Sequence, residues 1–314
     1  MKMKQYDIKK IIARYNLGEI KSFISIDRRL STLNSSFIIK TSKGKFFLKA
    51  YTKQFKRFKY HILKGLALLI FLEKQNYPSI KVILARNNNP YITYNGITFA
   101  IFEFINIEEK RIKNKYQAYE IGKNLGKLHL LTRNFPISKR GQSYDSFKRD
   151  LNLNFYLSRN APDKYKKILN HIREYYTSLK IPHSQPKSIC HVEFTSQHVR
   201  FNKNKLIKVI DWDEVGKDYM FYDLGTTMAE CFTKKIINFK ILNSIIKGYE
   251  SQRKLTKWER SHLFEALFFG ISKFVIWGLD KEEIKKSGWN KIGLQEVGVL
   301  INMGKTKFYE NLLK

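Results

Sequence analysis

Apolar and polar positions change their period several times along the chain, and the changes mark its elements. Ser36 to Lys40 and Lys45 to Tyr51 read as strands joined by Thr41-Ser42-Lys43-Gly44, a turn of hairpin length. Tyr15 to Ile20, followed by Ser22-Phe23, opens the same small sheet, and Tyr91–Tyr94 with Thr98–Ile105 makes a second hairpin around Asn95-Gly96. Between these hairpins Lys53 to about Gln75 predicts a helix ending before Pro78. Its Leu63, Leu66, Ala67, Leu69, Ile70 and Phe71 are too broadly apolar for a surface element. From about Tyr116 the period turns helical, with Ala118, Ile121, Leu125, Leu128 and Leu131 on one face and Gly122 and Gly126 allowing close packing. Phe147 to Leu179 predicts two basic helices broken at Ala161-Pro162-Asp163. A third hairpin pairs Val199–Phe201 with Leu206–Ile210 across Asn202-Lys203-Asn204-Lys205, and an all-helical tail starts at Tyr222.

Four polar side chains flank the third hairpin. His191, Glu193 and His198 lie in the segment that leads into its first strand, and Asp211 stands where its second strand ends. A hairpin brings its two ends together, so these groups can share one small volume. Taken alone, each is equally compatible with hydrogen bonding inside a loop.

The run Ile210-Asp211-Trp212-Asp213, followed by Gly216, Asp218 and Tyr222-Asp223-Leu224, resembles the aminoglycoside phosphotransferase superfamily and, within it, the type II homoserine kinases and choline kinase-like small-molecule kinases. Those enzymes write the preceding loop as His-Gly-Asp-x4-Asn. Here Glu193 stands at the Asp position and His198 at the Asn position. The resemblance implies an α+β, bilobal protein-kinase-like fold. Residues 1–105 would form a small antiparallel-sheet lobe with one helix, and residues 106–314 a mainly helical lobe carrying the catalytic hairpin and the acceptor pocket. It implies Glu193 with His191 as catalytic residues, Asp211 and His198 as ligands for Mg²⁺ (or Mn²⁺), and Lys49 on the α- and β-phosphates of ATP. Backbone groups around Glu103 and Phe104 would meet the adenine edge. A kinase helix normally supplies a Glu to pair with the strand lysine; the expected place falls near Gly65, and no acidic residue occurs between Lys49 and Glu73. The glycine usual in the loop before the first hairpin is missing from Arg28 to Leu33. His129, in LGKLHLLT of the long helix, reads as packed or hydrogen-bonded rather than catalytic. Gly248-Tyr249, Arg253-Lys254-Leu255 and Trp258-Glu259 resemble a segment of the type II homoserine kinases.

Composition changes this picture little. The 314 residues are 43% hydrophobic, ordinary for a globular chain long enough to bury a substantial core. Two cysteines, Cys190 and Cys231, have no metal-type spacing and point to a reduced cytoplasm. The charged amino terminus does not read as a signal peptide, and Leu66 to Leu72 is too short an apolar run to span a bilayer. The net charge of +32 invites a nucleic-acid or anionic-surface reading. An excess of Lys over Arg beside abundant Ile and Asn instead suggests compositional drift, and nucleic acid is disfavoured as a partner. The basic-aromatic run Lys53–Lys59, with Phe55 and Phe58, reads as a helix start before it reads as a base-stacking platform.

Three readings follow. The first is a phosphotransferase acting on a hydroxyl of a small metabolite. The second is a catalytically impaired pseudokinase that binds nucleotide or a partner protein, and the third a basic nucleic-acid or anionic-surface binder.

Overall fold

The computed structural model describes residues 5–26, 34–51, 55–106, 111–137, 163–233, 236–279 and 289–314. The loop Arg28–Leu33 and the first of the two helices expected after Phe147 lie outside the described residues. The chain divides into two compact units, Met1–Glu108 with Lys208–Asp213, and Glu109–Ile207 with Glu214–Lys314.

The first unit is built on an antiparallel sheet. Its strands are β1 (Ile20–Ile26), β2 (Asn34–Thr41), β3 (Gly44–Tyr51), β4 (Val82–Ile83), β5 (Ile92–Tyr94) and β6 (Ile97–Glu103), in the order β1-β2-β3-β6-β4 with β5 on β6. The β5–β6 turn is the one that its sequence demands: Asn95 and Gly96 both take positive φ, 49° and 72°, the conformation whose twist matches the flanking strands. Side chains alternate across the sheet. Leu48 and Ala50 of β3, with Phe37, Ile39, Phe99 and Ile101, enter a core completed by Ile8, Ile11, Ile12 and Tyr15. Three of these core residues lie on helix α1 (Gln5–Ile12), an element the sequence reading did not foresee. Lys49 and Tyr51 therefore face the opposite side. Helix α2 (Phe55–Lys74) ends with Asn76 in the left-handed region, a common helix stop.

The second unit is mainly helical: α3 (Lys115–Leu131), α4 (Asp163–Ser178), α5 (Met220–Met228), α6 (Phe239–Glu250), α7 (Lys257–Ser261), α8 (Leu263–Leu279) and α9 (Trp289–Leu312). Two short ladders accompany them, β7 (Lys187–Cys190) with β10 (Gly216–Tyr219), and β11 (Phe232–Thr233) with β12 (Ile236–Ile237). Strands β8 (Val199–Asn202) and β9 (Lys205–Val209) form the expected hairpin. None of the described helices is long and apolar enough to cross a membrane.

Glycines set how closely the helices approach. A Cβ on Gly122 of α3 would lie 2.0 Å from the Ile245 carbonyl of α6, and one on Gly248 of α6 would lie 2.0 Å from Tyr119 O of α3. Gly225 of α5 and Gly270 of α8 interlock in the same way, a Cβ on Gly270 falling 2.1 Å from Gly225 O. Because backbone cannot yield as a flexible side chain can, Gly122→Ala is expected to destabilise the protein by about 3 kcal/mol. A lowered denaturation midpoint at unchanged slope would show it.

Candidate active site

The sheet unit carries the first group of residues. Lys49 points away from the core, and its Nζ lies 3.2 Å from Asp211 Oδ1 and in direct contact with Asp213 Oδ2. Tyr51, two residues on and so on the same face, donates its hydroxyl to Asp213 Oδ1 at 3.3 Å. Burial would lower the Lys49 proton affinity, but the charges and hydrogen bonds of Asp211 and Asp213 outweigh it and raise it. The same burial, with Asp213 alongside, holds the Tyr51 phenol neutral. Glu73, the first acid after Lys49 in the chain, is engaged elsewhere, 3.0 Å from Lys81. Lys49 thus finds its acids not on α2 but beyond β9.

The backbone beyond β9 is held tightly. Val209 donates to Pro78 O at 2.7 Å and accepts from Ile80 N at 2.9 Å, and Trp212 Nε1 returns to Val209 O at 2.9 Å. Asp211 takes φ 62°, a conformation that Asp tolerates better than most residues. Its side chain is 38% exposed. At the end of β6, Glu103 donates its N–H to Lys81 O at 3.0 Å, while its carboxylate accepts Lys81 N–H at 2.8 Å and contacts Lys208 Nζ. Phe104 follows, with Lys45 Nζ 5.5 Å from its ring centre.

The helical unit carries the second group, on the loop between β7 and β8. The buried Asp223 of α5 accepts the His191 and Val192 backbone N–H groups, both at 2.8 Å, and His129 Nε2 at 3.1 Å. Burial alone would lift this carboxyl, but the His129 hydrogen bond, the neighbouring imidazoles and the His191 N–H hold it below the usual carboxylate range. The polarity of the chain behind it can be assigned bond by bond. Arg253 can only donate, so its 2.8 Å bond makes the Tyr249 oxygen an acceptor and sends the Tyr249 proton to His129 Nδ1, 2.7 Å away. His129, whose proton affinity burial lowers, is therefore neutral with its hydrogen on Nε2, facing Asp223. Arg253 closes on Glu259 at 2.7 Å, and Glu259 also completes a capping box with Thr256. His129, Cys190 and Asp223 converge within 4.8 Å, and hydrogen bonds account for each of them.

His191 packs its buried ring edge-on against Phe194 at 5.6 Å and serves the loop through its backbone. Val192 takes φ 74°, a strained conformation for a β-branched residue, at the position where the resembled motif has glycine. Glu193 keeps its side chain 37% exposed, with the carboxylate 3.7 Å from His198 Nδ1. That nitrogen lies 2.9 Å from the Glu193 carbonyl. A carbonyl only accepts, so His198 Nδ1 is the donor in this contact. The loop ends with Ser196 N donating to Glu230 at 3.0 Å.

Glu296 of α9 feels the charge of Glu230. Burial lifts its carboxyl to about 7, helped by the Glu230 charge and opposed by Arg111. A folded-state value above the unfolded 4.5 means that Glu296 favours folding below pH 4.5 and that this contribution is lost as pH rises through 7. Glu296→Gln is expected to stabilise the protein at pH 8 by on the order of 3 kcal/mol and to change little at pH 4. Denaturation midpoints at the two pH values test this.

Lys49 lies on β3, as the sequence suggests, and Asp211 two residues beyond β9; the sequence reading gave no role to Asp213, Tyr51 or Asp223 and overlooked Lys273. The sequence signal for Lys273 is a single lysine in Leu263–Leu279, a stretch whose only other polar residues are Glu265 and Ser272.

Comparison with known proteins gives the family and the fold. Residues 28–240 match the phosphotransferase enzyme family. A homoserine kinase of Caulobacter vibrioides (strain NA1000 / CB15N) is 25% identical over 285 residues, covering 87% of each chain. Among solved structures, a microcompartment-associated aminopropanol kinase superposes with a TM-score of 0.72 at 15% identity, covering 99% of both chains. An amicoumacin kinase solved with AMP-PNP and Ca²⁺ gives 0.68 at 12% identity, covering 96% of this chain and 97% of its own. The fold is accordingly kinase-like, with an antiparallel-sheet unit and a helical unit.

Proposed function

The chain belongs to the phosphotransferase enzyme family, and from that premise we propose that it is an ATP-dependent kinase that phosphorylates a hydroxyl of a small metabolite, with homoserine the first acceptor to test. The observation that carries the reading is Lys49 held between Asp211 and Asp213. This is a cation beside oxygen donors, as nucleotide phosphates and a divalent ion require.

The donor chemistry of Asp211, a partly exposed carboxylate beside Asp213, suits a divalent ion, and in this reading His198 is a second ligand. Oxygen-preferring Mg²⁺ suits Asp211, and Mn²⁺ tolerates the imidazole better. A bound divalent ion would neutralise phosphate charge during transfer. In this reading Lys49 contacts the α- and β-phosphates, and Glu193 takes the proton of the acceptor hydroxyl. His191 contributes by building the loop that aims Glu193. The Glu103 N–H is already committed to Lys81, so the adenine edge would be met by the Glu103 carbonyl and by the backbone of Phe104 and Ile105.

The deciding experiment is ATP consumption across a panel of hydroxyl acceptors, homoserine included, under Mg²⁺ and under Mn²⁺. Acceptor-dependent ADP formation is expected; its absence throughout the panel with both metals removes the kinase reading. Glu193 and His198, standing where the family has Asp and Asn, favour one second reading: a nucleotide-binding pseudokinase. Its signature is a nucleotide-dependent rise in melting temperature without turnover.

A further inference from the structure

The molecule buries a lysine that none of the proposed catalytic roles uses. Lys273 lies on α8, outside the family-matched residues 28–240, and is only 3% exposed. The interlocking of Gly225 and Gly270 brings α8 against α5, and Lys273 follows Gly270 by three residues, on the same face of the helix. Its Nζ donates to the carbonyl of Val192, with the Tyr222 and Phe274 rings 5.7 and 4.7 Å away. We propose that Lys273 is a positioning residue for the phosphotransfer reaction: together with Asp223 it clamps Val192 through the peptide groups on either side of it and so aims the Glu193 carboxylate.

Three observations carry this. First, Val192 is gripped through both of its peptide groups, Asp223 holding its N–H and Lys273 its carbonyl. Second, that residue needs a grip, since φ 74° is unfavourable for valine and would relax if released. Third, stability does not explain a buried ammonium, because desolvation makes it costly where an apolar side chain of similar length would not be. Burial indeed lowers the Lys273 proton affinity, to about 8, with Glu193 the leading charge that opposes the fall. Aim matters because a shift of about an ångström in a reacting group can cost on the order of a hundredfold in rate.

The inference rests on the kinase reading, and the test separates the two. Wild-type transfer is measured first; if there is none with any acceptor, the kinase reading fails and Lys273 loses its proposed reaction. Given wild-type activity, Lys273→Met is expected to lower kcat about 100-fold while KM for ATP and acceptor stays within about twofold and melting temperature does not fall. Lys273→Arg, which keeps charge and donor, should recover at least about a tenth of wild-type kcat. Amide exchange at Val192 supplies a readout that needs no turnover: Met should speed it by about tenfold and Arg restore it. An unchanged kcat, a loss confined to KM, no recovery in the Arg variant, or unaltered exchange would each overturn the assignment.

Discussion

Asp211→Asn is expected to lower the rate of phosphoryl transfer roughly a thousandfold and to leave the fold intact. The charge removed is the more exposed of the two acids that hold Lys49, and the more buried Asp213 keeps its contact with the lysine in the variant. Loss of Lys49 positioning is therefore separated from loss of the carboxylate proposed to bind the metal. Removal of one preorganised charge at a transferring group typically costs about 10²–10³ in kcat. Steady-state rates under saturating ATP, with thermal melting as the control for folding, provide the check. Retention of more than about a tenth of wild-type activity would rule out Asp211 as an essential metal ligand.

Glu193→Gln should be nearly as severe, between about a hundredfold and ten-thousandfold in kcat, because an amide cannot accept the acceptor hydroxyl's proton. The change preserves shape, and the loop is secured through the backbone by Asp223 rather than through the Glu193 side chain, so KM values and melting should move little. The carboxylate is open enough for an acceptor to reach it, unlike the buried ring of His191. Single-turnover measurements distinguish this outcome from slow product release. A Gln variant that transfers phosphate at near wild-type rate would remove Glu193 as the base.

What the sequence revealed, and what it hid, follow from how far each feature reaches along the chain. The Asn95-Gly96 and Lys203-Asn204 turns were legible because their chemistry is local. The glycines of α3 were legible as close-packing positions, though not which helix they touch. Helix α1 was missed because Ile8, Ile11 and Ile12 give barely two turns of pattern in a charged segment. The partners of Lys49 were hidden for another reason. They lie 162 or more positions away in the chain, and the expected partner position on α2 holds no acid. The strain at Val192 is a backbone property that residue type alone does not report.

The stretch Lys208–Asp213 belongs to the sheet unit although Glu109–Ile207 separates it from the rest. During synthesis, then, the first 108 residues emerge before Val209 can bond Pro78 and Ile80, before Lys208 can meet Glu103, and before Lys49 has either counter-charge. The amino-terminal unit is finished only after most of the chain has left the ribosome. A fragment cut at residue 108 would carry Lys49 as an unneutralised cation on an incomplete scaffold.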